Sequence, residues 1–120
     1  MTKPFKKIAV VGTGTLGAQI AMLASNAGYL VTVFDQQAGA FDAMMGKLDA
    51  DLRAKQIEPL IPFDRWPACR HQIKQIEDLA EAVKDADLVI EAVPEDLELK
   101  CEVFRQLGQL TPPETILATN

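Results

Sequence analysis

The sequence predicts a doubly wound α/β domain in which a parallel β-sheet carries helices on both faces. Short apolar runs rich in β-branched residues alternate with amphipathic stretches along the chain, which is the pattern of successive β-α-β units. The first run is apolar throughout, as expected for a strand buried on both faces. A length of 120 residues suits one compact core, so we expect a single domain.

The amino-terminal half is expected to form two strands, at 8–11 and 30–34, each followed by a helix. The apolar residues at helical spacing in the first helix are Leu16, Ile20, Leu23 and Ala24. Gly28 supplies the stop for that helix. In the second helix, the apolar residues that share one face are Phe41, Met44, Met45, Leu48 and Leu52. This spacing predicts that both methionines pack in the core rather than form an adaptable ligand-contacting surface.

The carboxyl-terminal half begins with the proline-marked stretch "EPLIPFDRWP", which is expected to end the second helix and to form an irregular connection. Within it, we expect Phe63 and Trp66 to pack together. Residues 71–76 alternate partly with period two and predict a third strand. The remaining expected elements are a short helix at 78–83, a strand at 88–93, a helix at 94–110 and a strand at 115–118.

Composition argues against several classes of function. A net charge of −5 disfavours non-specific nucleic-acid binding, which needs a basic face. Cys69 and Cys101 lack metal-ligand or disulfide-framework spacing, so we expect no metal and a reducing, cytoplasmic setting. Glycine, threonine and glutamine interrupt the apolar residues after the basic start, so a secretory leader is not expected. No stretch approaches the ~20 apolar residues of a membrane-spanning helix.

A glycine motif follows the first predicted strand. In "GTGTLG", Gly12 allows a tight turn, Gly14 leaves room for a pyrophosphate, and Gly17 lets the helix approach the strand. The amides of Thr15 and Leu16 would face the phosphates at the helix amino terminus. The motif alone is weak evidence, but its position between a buried strand and an amphipathic helix favours a dinucleotide-binding, Rossmann-type fold over a purely structural turn.

An acidic residue, Asp35, follows the second predicted strand, 18 residues beyond Gly17. A carboxylate there accepts hydrogen bonds from adenosine ribose hydroxyls and repels a 2′-phosphate. Gln36 comes next, and no basic residue occurs before Lys47, so the sequence favours NAD over NADP. The alternative is that Asp35 only stabilises a turn.

The segment "EAVPEDLELK" after the fourth predicted strand permits two interpretations. Pro94, Glu95 and Asp96 suit the first turn of a helix, and Lys100 would then be a solvated partner of a nearby acid. Alternatively, this loop lies beside the nicotinamide ribose, because ligands bind at the carboxyl ends of the strands in such sheets. Its position after the fourth strand favours the second interpretation.

The segments "VVGTGTLG", "VFDQ", "DADLVIEAVPEDLELK" and "TILATN" together resemble the NAD-binding domain of the L-3-hydroxyacyl-CoA dehydrogenases, a family that also includes lambda-crystallin and 3-hydroxybutyryl-CoA dehydrogenases. The resemblance covers almost the whole chain. It implies that the glycine loop holds the pyrophosphate and Asp35 the adenosine ribose. The residues that it places near the nicotinamide half are Ala92, Val93, Glu95, Lys100 and Asn120.

The resemblance also implies what this chain lacks. The family's His-Glu catalytic pair falls at positions after Asn120, and His71, expected to be solvated at the amino end of the third strand, would not replace it. The stretch "EPLIPFDRWP" is shorter than the helical excursion of many members.

The resemblance therefore implies a cofactor-binding domain, spanning 1–120, of an enzyme that passes hydride from an L-3-hydroxyacyl-CoA to NAD. The full-length enzyme would be a homodimer with an acyl-CoA substrate, and no nucleic-acid or membrane partner is expected. Two alternatives stay open at this point: a related carnitine or sugar-acid dehydrogenase, and a non-catalytic NAD-sensing module.

Overall fold

The fold is built on one parallel sheet. A computed structural model describes residues 5–57 and 59–120. Its strands are β1 (Lys7–Val11), β2 (Leu30–Phe34), β3 (Lys74–Gln75), β4 (Leu88–Glu91) and β5 (Ile116–Thr119). They pair in parallel in the order β3-β2-β1-β4-β5. The strand order reverses between β1 and β4, and ligand crevices open at such a switch point.

Helices cover both faces of the sheet, which confirms the predicted doubly wound architecture. They are α1 (Thr15–Asn26), α2 (Ala40–Ala54), α3 (Trp66–Gln72), α4 (Leu79–Val83) and α5 (Leu97–Leu110). Because successive strand residues point to opposite faces, β1 contributes to two cores. Ile8 and Val10 pack with residues of α1, α2 and α3. Ala9 and Val11 pack with residues of α4 and α5 on the other face.

The buried face of α1 differs from the prediction. Leu16 and Leu23 are 47% and 43% exposed, while Ile20 and Ala24 pack partly buried against the core. The fully buried residues of α1 are Gly17, Ala18, Ala21, Met22 and Ser25. The helix lies so close to the sheet that a Cβ on Gly17 would come within 1.9 Å of the Gly12 carbonyl oxygen. Gly17 therefore occupies the point of closest contact, and the two leucines lie largely outside the core.

The predicted third strand at 71–76 is mostly wrong. Residues 66–72 form α3, and only Lys74 and Gln75 pair with β2. Pro67 lies in the first turn of α3, where its missing N–H breaks no helical hydrogen bond. His71 therefore lies on a helix, and it is exposed, as expected.

The connection between α2 and α3 contains a short 3₁₀ turn at Phe63–Arg65. The predicted packing of Phe63 against Trp66 is confirmed, with ring centroids 5.5 Å apart. The indole N–H of Trp66 also donates to the Ile61 carbonyl oxygen at 2.9 Å. Glu58, in the same connection, lies outside the described residues.

The boundaries around β4 shift from the prediction. The strand ends at Glu91 rather than at residue 93, and α5 begins at Leu97 rather than at residue 94. The side chain of Asp96 accepts a hydrogen bond from the Leu99 amide at 3.2 Å, so Asp96 caps the helix instead of lying within it. Residues 92–96 are consequently a loop at the carboxyl edge of the sheet.

Candidate functional site

A cleft of about 950 Å³ opens at the carboxyl edge of the sheet. Its walls are the glycine loop after β1, the residues that follow β2, one side of α2 and the loop after β4. It brings together the predicted site residues Gly12, Gly14, Thr15, Leu16, Asp35, Gln36, Ala92, Val93, Glu95 and Asn120. Two other predicted site residues, Gly17 and Lys100, are not among the residues of the cleft lining.

The glycine loop has the geometry that the motif predicts. Gly12 has a φ of +99°, and a Cβ there would lie 2.7 Å from the Ala92 carbonyl oxygen, so this position requires glycine. At Gly14, by contrast, a Cβ would have no heavy atom of the described residues within 4 Å. Gly14 is also the N-cap of α1, and no side chain of the described residues caps that helix end. The first amides of α1 therefore face open space suited to an anion.

Asp35 links the glycine loop to the segment after β2. Its Oδ2 accepts hydrogen bonds from the Thr13 amide at 2.8 Å and from the Thr13 hydroxyl at 3.0 Å. Its Oδ1 accepts from the Gln37 amide at 2.9 Å. A carboxylate has about four lone-pair sites, so Asp35 keeps acceptor capacity for ligand hydroxyls. The buried Thr13 was missed in the sequence, where nothing distinguishes it from the other loop threonine.

Helix α2 contributes a wall that the sequence did not predict. Met45 is 1% exposed in the core, which confirms its predicted position. Met44 packs against the same core but also lines the cleft, with its sulfur 3.7 Å from the Thr15 hydroxyl. Consecutive helical residues point about 100° apart, so the two methionines occupy different environments. Lys47, near Met44 on the same helix, brings a positive charge to the cleft wall.

A buried carboxylate, Glu91, ends β4 beside the cleft. Its Oε1 lies 3.1 Å from the Lys100 Nζ and accepts from the Thr119 hydroxyl at 2.6 Å. Its Oε2 accepts from the Val93 amide at 2.6 Å. Lys100 also contacts the Glu95 carboxylate at 3.3 Å. Lys100 is therefore a partly buried partner of two acids, rather than the solvated partner of one.

These contacts shift the pKa of both groups. Burial by itself would raise the pKa of Glu91, but hydrogen bonds from Thr119, Lys100 and Val93 hold it below the usual value of 4.5. Burial would likewise lower the pKa of Lys100, yet the hydrogen bonds and negative charges of Glu91 and Glu95 raise it above its usual value. Both groups therefore stay charged at neutral pH. The sequence signal for Glu91 was an acid inside the apolar run "DLVIEAV".

Residues 7–120 match the family model described as 3-hydroxyacyl-CoA dehydrogenase, NAD binding domain. The chain belongs to this family. This match confirms the resemblance drawn from the sequence. It also confirms NAD as the cofactor of this NAD-binding domain.

Individual relatives agree with the family assignment. A 3-hydroxyadipyl-CoA dehydrogenase of Escherichia coli K12 is 35% identical over 94% of this chain and 24% of its own length. A 3-hydroxybutyryl-CoA dehydrogenase of Clostridioides difficile is 35% identical over 95% of this chain and 40% of its own. The solved structure of a diketoreductase superposes with a TM-score of 0.84 at 39% identity, covering 99% of this chain and 42% of that one. The chain thus spans roughly a quarter to two-fifths of the length of these relatives.

Metal-binding and membrane-spanning features are absent from the part of the NAD-binding domain that the structure describes. Across residues 5–57 and 59–120, no cluster of three or more His, Cys, Asp or Glu side chains is arranged to hold a metal ion. Within the same residues, none of the helices has the length and apolar character needed to cross a membrane. His71 is not among the residues of the cleft lining.

Proposed function

We propose that this chain is the cofactor-binding part of an enzyme that oxidises an L-3-hydroxyacyl-CoA to the 3-ketoacyl-CoA and passes the hydride to NAD. The observation that carries the proposal is the convergence of the glycine loop, Asp35 and the loop after β4 on one cleft. The lengths of the relatives support a further part of the protein that supplies the substrate pocket.

The adenosine half of NAD would lie between the glycine loop and Asp35. The open space at Gly14 and the uncapped start of α1 fit a pyrophosphate, which would accept hydrogen bonds from the amides of Thr15 and Leu16. Asp35 would accept hydrogen bonds from the ribose hydroxyls, with Gln36 beside it. The Lys47 ammonium on α2 would add positive charge near the phosphates.

The nicotinamide half would lie against the loop after β4. Ala92 and Val93 would form its apolar floor, and Glu95, held by Lys100, would accept hydrogen bonds from the second ribose. Asn120, which follows β5, lines the same end of the cleft. Bound NAD supplies the hydride acceptor. Gly17 would contribute indirectly by letting α1 approach the sheet.

The rest of the reaction would be carried out by other parts of the protein. We propose that a His-Glu pair in a helical substrate domain abstracts the hydroxyl proton, since His71 lies outside the cleft lining. We further propose a homodimeric, cytoplasmic enzyme that binds an acyl-CoA. The 120-residue chain alone would then bind cofactor without turning over substrate.

The test is a fluorescence titration of the chain with NADH and NADPH. Wild-type protein should bind NADH in preference to NADPH, because the Asp35 carboxylate repels a 2′-phosphate. Asp35→Ala should weaken NADH binding by roughly 1–3 kcal/mol, the cost of losing hydrogen bonds to a charged acceptor.

The matched control is Asp49→Ala, which removes an exposed carboxylate from α2 and should leave NADH binding unchanged. Equal NADH affinity of wild type and Asp35→Ala would overturn the assigned role of Asp35. Turnover of acetoacetyl-CoA by the 120-residue chain would overturn the proposal that the catalytic base is elsewhere.

A second candidate differs only in substrate. The diketoreductase neighbour, which is described as catalysing reactions of dicarbonyl compounds, is 39% identical to this chain. A free dicarbonyl would then replace the acyl-CoA while the NAD site stays the same. Comparing acetoacetyl-CoA with a dicarbonyl lacking CoA, as substrates of the whole protein, separates the two candidates by the ratio of their kcat/KM values.

A further inference from the structure

Glu91 has an unusual environment for a carboxylate. Within residues 5–57 and 59–120, it is the only charged side chain that is buried, with an exposed fraction of 0%. An uncompensated charge at such a position would be very unfavourable. Three donors compensate it: the Lys100 ammonium, the Thr119 hydroxyl and the Val93 amide.

These donors belong to different parts of the carboxyl edge. Val93 lies in the loop after β4, Lys100 on α5, and Thr119 at the end of β5. The backbone of Glu91 adds a fourth connection, because its carbonyl oxygen accepts from the Asn120 amide at 3.0 Å. One residue therefore fixes the relative positions of a loop, a helix and a strand.

Lys100 carries this connection to the cleft. Its ammonium contacts the Glu95 carboxylate at 3.3 Å and the Asn120 carbonyl oxygen at 3.1 Å. The Glu95 side chain is 85% exposed and would otherwise sample many rotamers. Lys100 itself is only 16% exposed, and it is held in place by Glu91.

Stability alone is a weak explanation for this arrangement. Replacing a buried ion pair by apolar side chains of similar volume is often neutral or stabilising. An apolar pair here would nevertheless leave Glu95 without its cationic partner. What the charged pair adds is a fixed orientation for the groups that line the cleft.

We propose that Glu91 is a positioning residue for the nicotinamide end of the cleft, acting through Lys100 on Glu95. The inference rests on the NAD site proposed above. It assigns to Glu91 an effect on the nicotinamide half of the cofactor and none on the adenosine half.

The test compares NADH with ADP, which lacks the nicotinamide half. Glu91→Gln keeps the side-chain shape but removes the charge that holds Lys100. It should weaken NADH binding about fivefold to tenfold, the equivalent of one ordinary hydrogen bond lost, and leave ADP binding unchanged. Glu102→Gln is the matched control, because Glu102 is an exposed acid on α5 paired with Arg105, and a glutamine oxygen can still accept the hydrogen bond from Gln106 in the cleft lining. It should change neither affinity.

The coupling to Glu95 provides a second readout that a purely structural role would not change. In a Glu95→Gln background, Glu91→Gln should have a smaller effect on NADH affinity than in the wild type, because its target is already absent. If Glu91→Gln fails to fold, Thr119→Val serves instead, because it removes one hydrogen bond from the same carboxylate. It should likewise weaken NADH binding and spare ADP.

Three results would overturn the inference: unchanged NADH affinity in Glu91→Gln, equal losses for NADH and ADP, or full additivity with Glu95→Gln. Failure of the proposed function looks different. In that case wild-type protein would not bind NADH, or Asp35→Ala would bind it normally.

Discussion

Two glycines of the cofactor loop, Gly14 and Gly17, have opposite surroundings. Gly17 lies against the Gly12 carbonyl oxygen, whereas Gly14 faces open cleft. The motif specifies glycine at both positions, but for different physical reasons. One glycine permits packing of the helix on the sheet, and the other leaves space for a ligand.

Alanine substitution should separate these two roles. Gly17→Ala places a Cβ 1.9 Å from a backbone oxygen and should lower the free energy of unfolding by at least about 1–3 kcal/mol. Gly14→Ala should cost less than about 1 kcal/mol of stability, yet weaken NADH binding because the methyl group enters the cleft. Urea unfolding and NADH titration measure the two effects.

Gly46→Ala is the control, since Gly46 lies within α2 and a Cβ there would have no heavy atom within 4 Å among residues 5–57 and 59–120. It should raise stability by roughly 0.5–1 kcal/mol through helix propensity and leave NADH affinity unchanged. A Gly17→Ala protein as stable as Gly46→Ala would contradict the packing described for α1.

The site residues that can be predicted from the sequence are those whose residue type and position after a strand already indicate a role. The glycines and Asp35 directly follow strands, so their meeting at one edge could be predicted from topology. Met44 and Lys47 reach the same cleft from a helix, and their contribution depends on the helix orientation, which the local pattern does not contain. Glu91 differs again, because its partners Lys100 and Thr119 are brought to it by tertiary structure.

At the scale of elements, the start of α5 determines where the nicotinamide-side residues lie. Asp96 caps the helix through the Leu99 amide, and the Lys100 amide donates to the Asp96 carbonyl oxygen at 2.9 Å. The cap therefore sets the first turn from which Lys100 reaches Glu91.

Removing this cap should destabilise the domain measurably. Asp96→Ala should lower the free energy of unfolding by about 1 kcal/mol, with a range of roughly 0.5–2. Asp96→Asn should retain most of the stability, because an asparagine oxygen can accept the same hydrogen bond. Chemical denaturation followed by far-UV circular dichroism measures both variants. Similar losses for Ala and Asn would indicate that the charge, not the cap, matters at this position.

Most elements could be predicted because strands and helices have different hydrophobic periods. The strand predicted at 71–76 was mostly wrong because two features of the sequence were misleading. The prolines suggested an irregular connection, and the partial period-two alternation of apolar residues suggested a strand. Pro67 is compatible with the first turn of α3, so its presence did not exclude a helix. Residues 66–72 are held as a helix by tertiary packing, including burial of Cys69 against the core of α1 and α2.

At the scale of the whole molecule, the carboxyl groups of Glu102, Asp42 and Glu91 make stability sensitive to acid. The Arg105 hydrogen bond lowers the pKa of Glu102 to about 2. The Arg70 hydrogen bond lowers the pKa of Asp42 below 3.8, and the hydrogen-bonded network around Glu91 lowers its pKa below 4.5. Folded protein therefore binds fewer protons than unfolded protein in this range, so stability falls as pH falls.

The free energy of unfolding should be nearly constant from about pH 7 to 5 and should decline below the unfolded carboxyl pKa values near 4. Stability from each lowered pKa is present above the unfolded value and is lost as pH falls through the folded value. Glu91→Gln should be less stable than wild type at neutral pH, and this difference should shrink in acid. Urea unfolding at several pH values measures both trends.

Added salt provides the control for this pH dependence. The pairs of Glu102 and Asp42 are exposed and should be screened, whereas the buried pair of Glu91 should be screened less. The difference in the free energy of unfolding between wild type and Glu91→Gln should therefore persist at high salt. Its disappearance would contradict the buried position of this carboxylate.

The central position of β1 has a consequence for how the domain assembles during synthesis. β1 is made before the other strands and can pair with β2 early, but its other edge pairs with β4, and the Lys7 amide bonds to Asp87 across 80 positions of the chain. A nascent chain therefore exposes an unpaired inner strand until β4 has left the ribosome. The two walls of the cofactor cleft come from opposite sides of β1, so NAD can stabilise the finished domain but cannot assist the early intermediates.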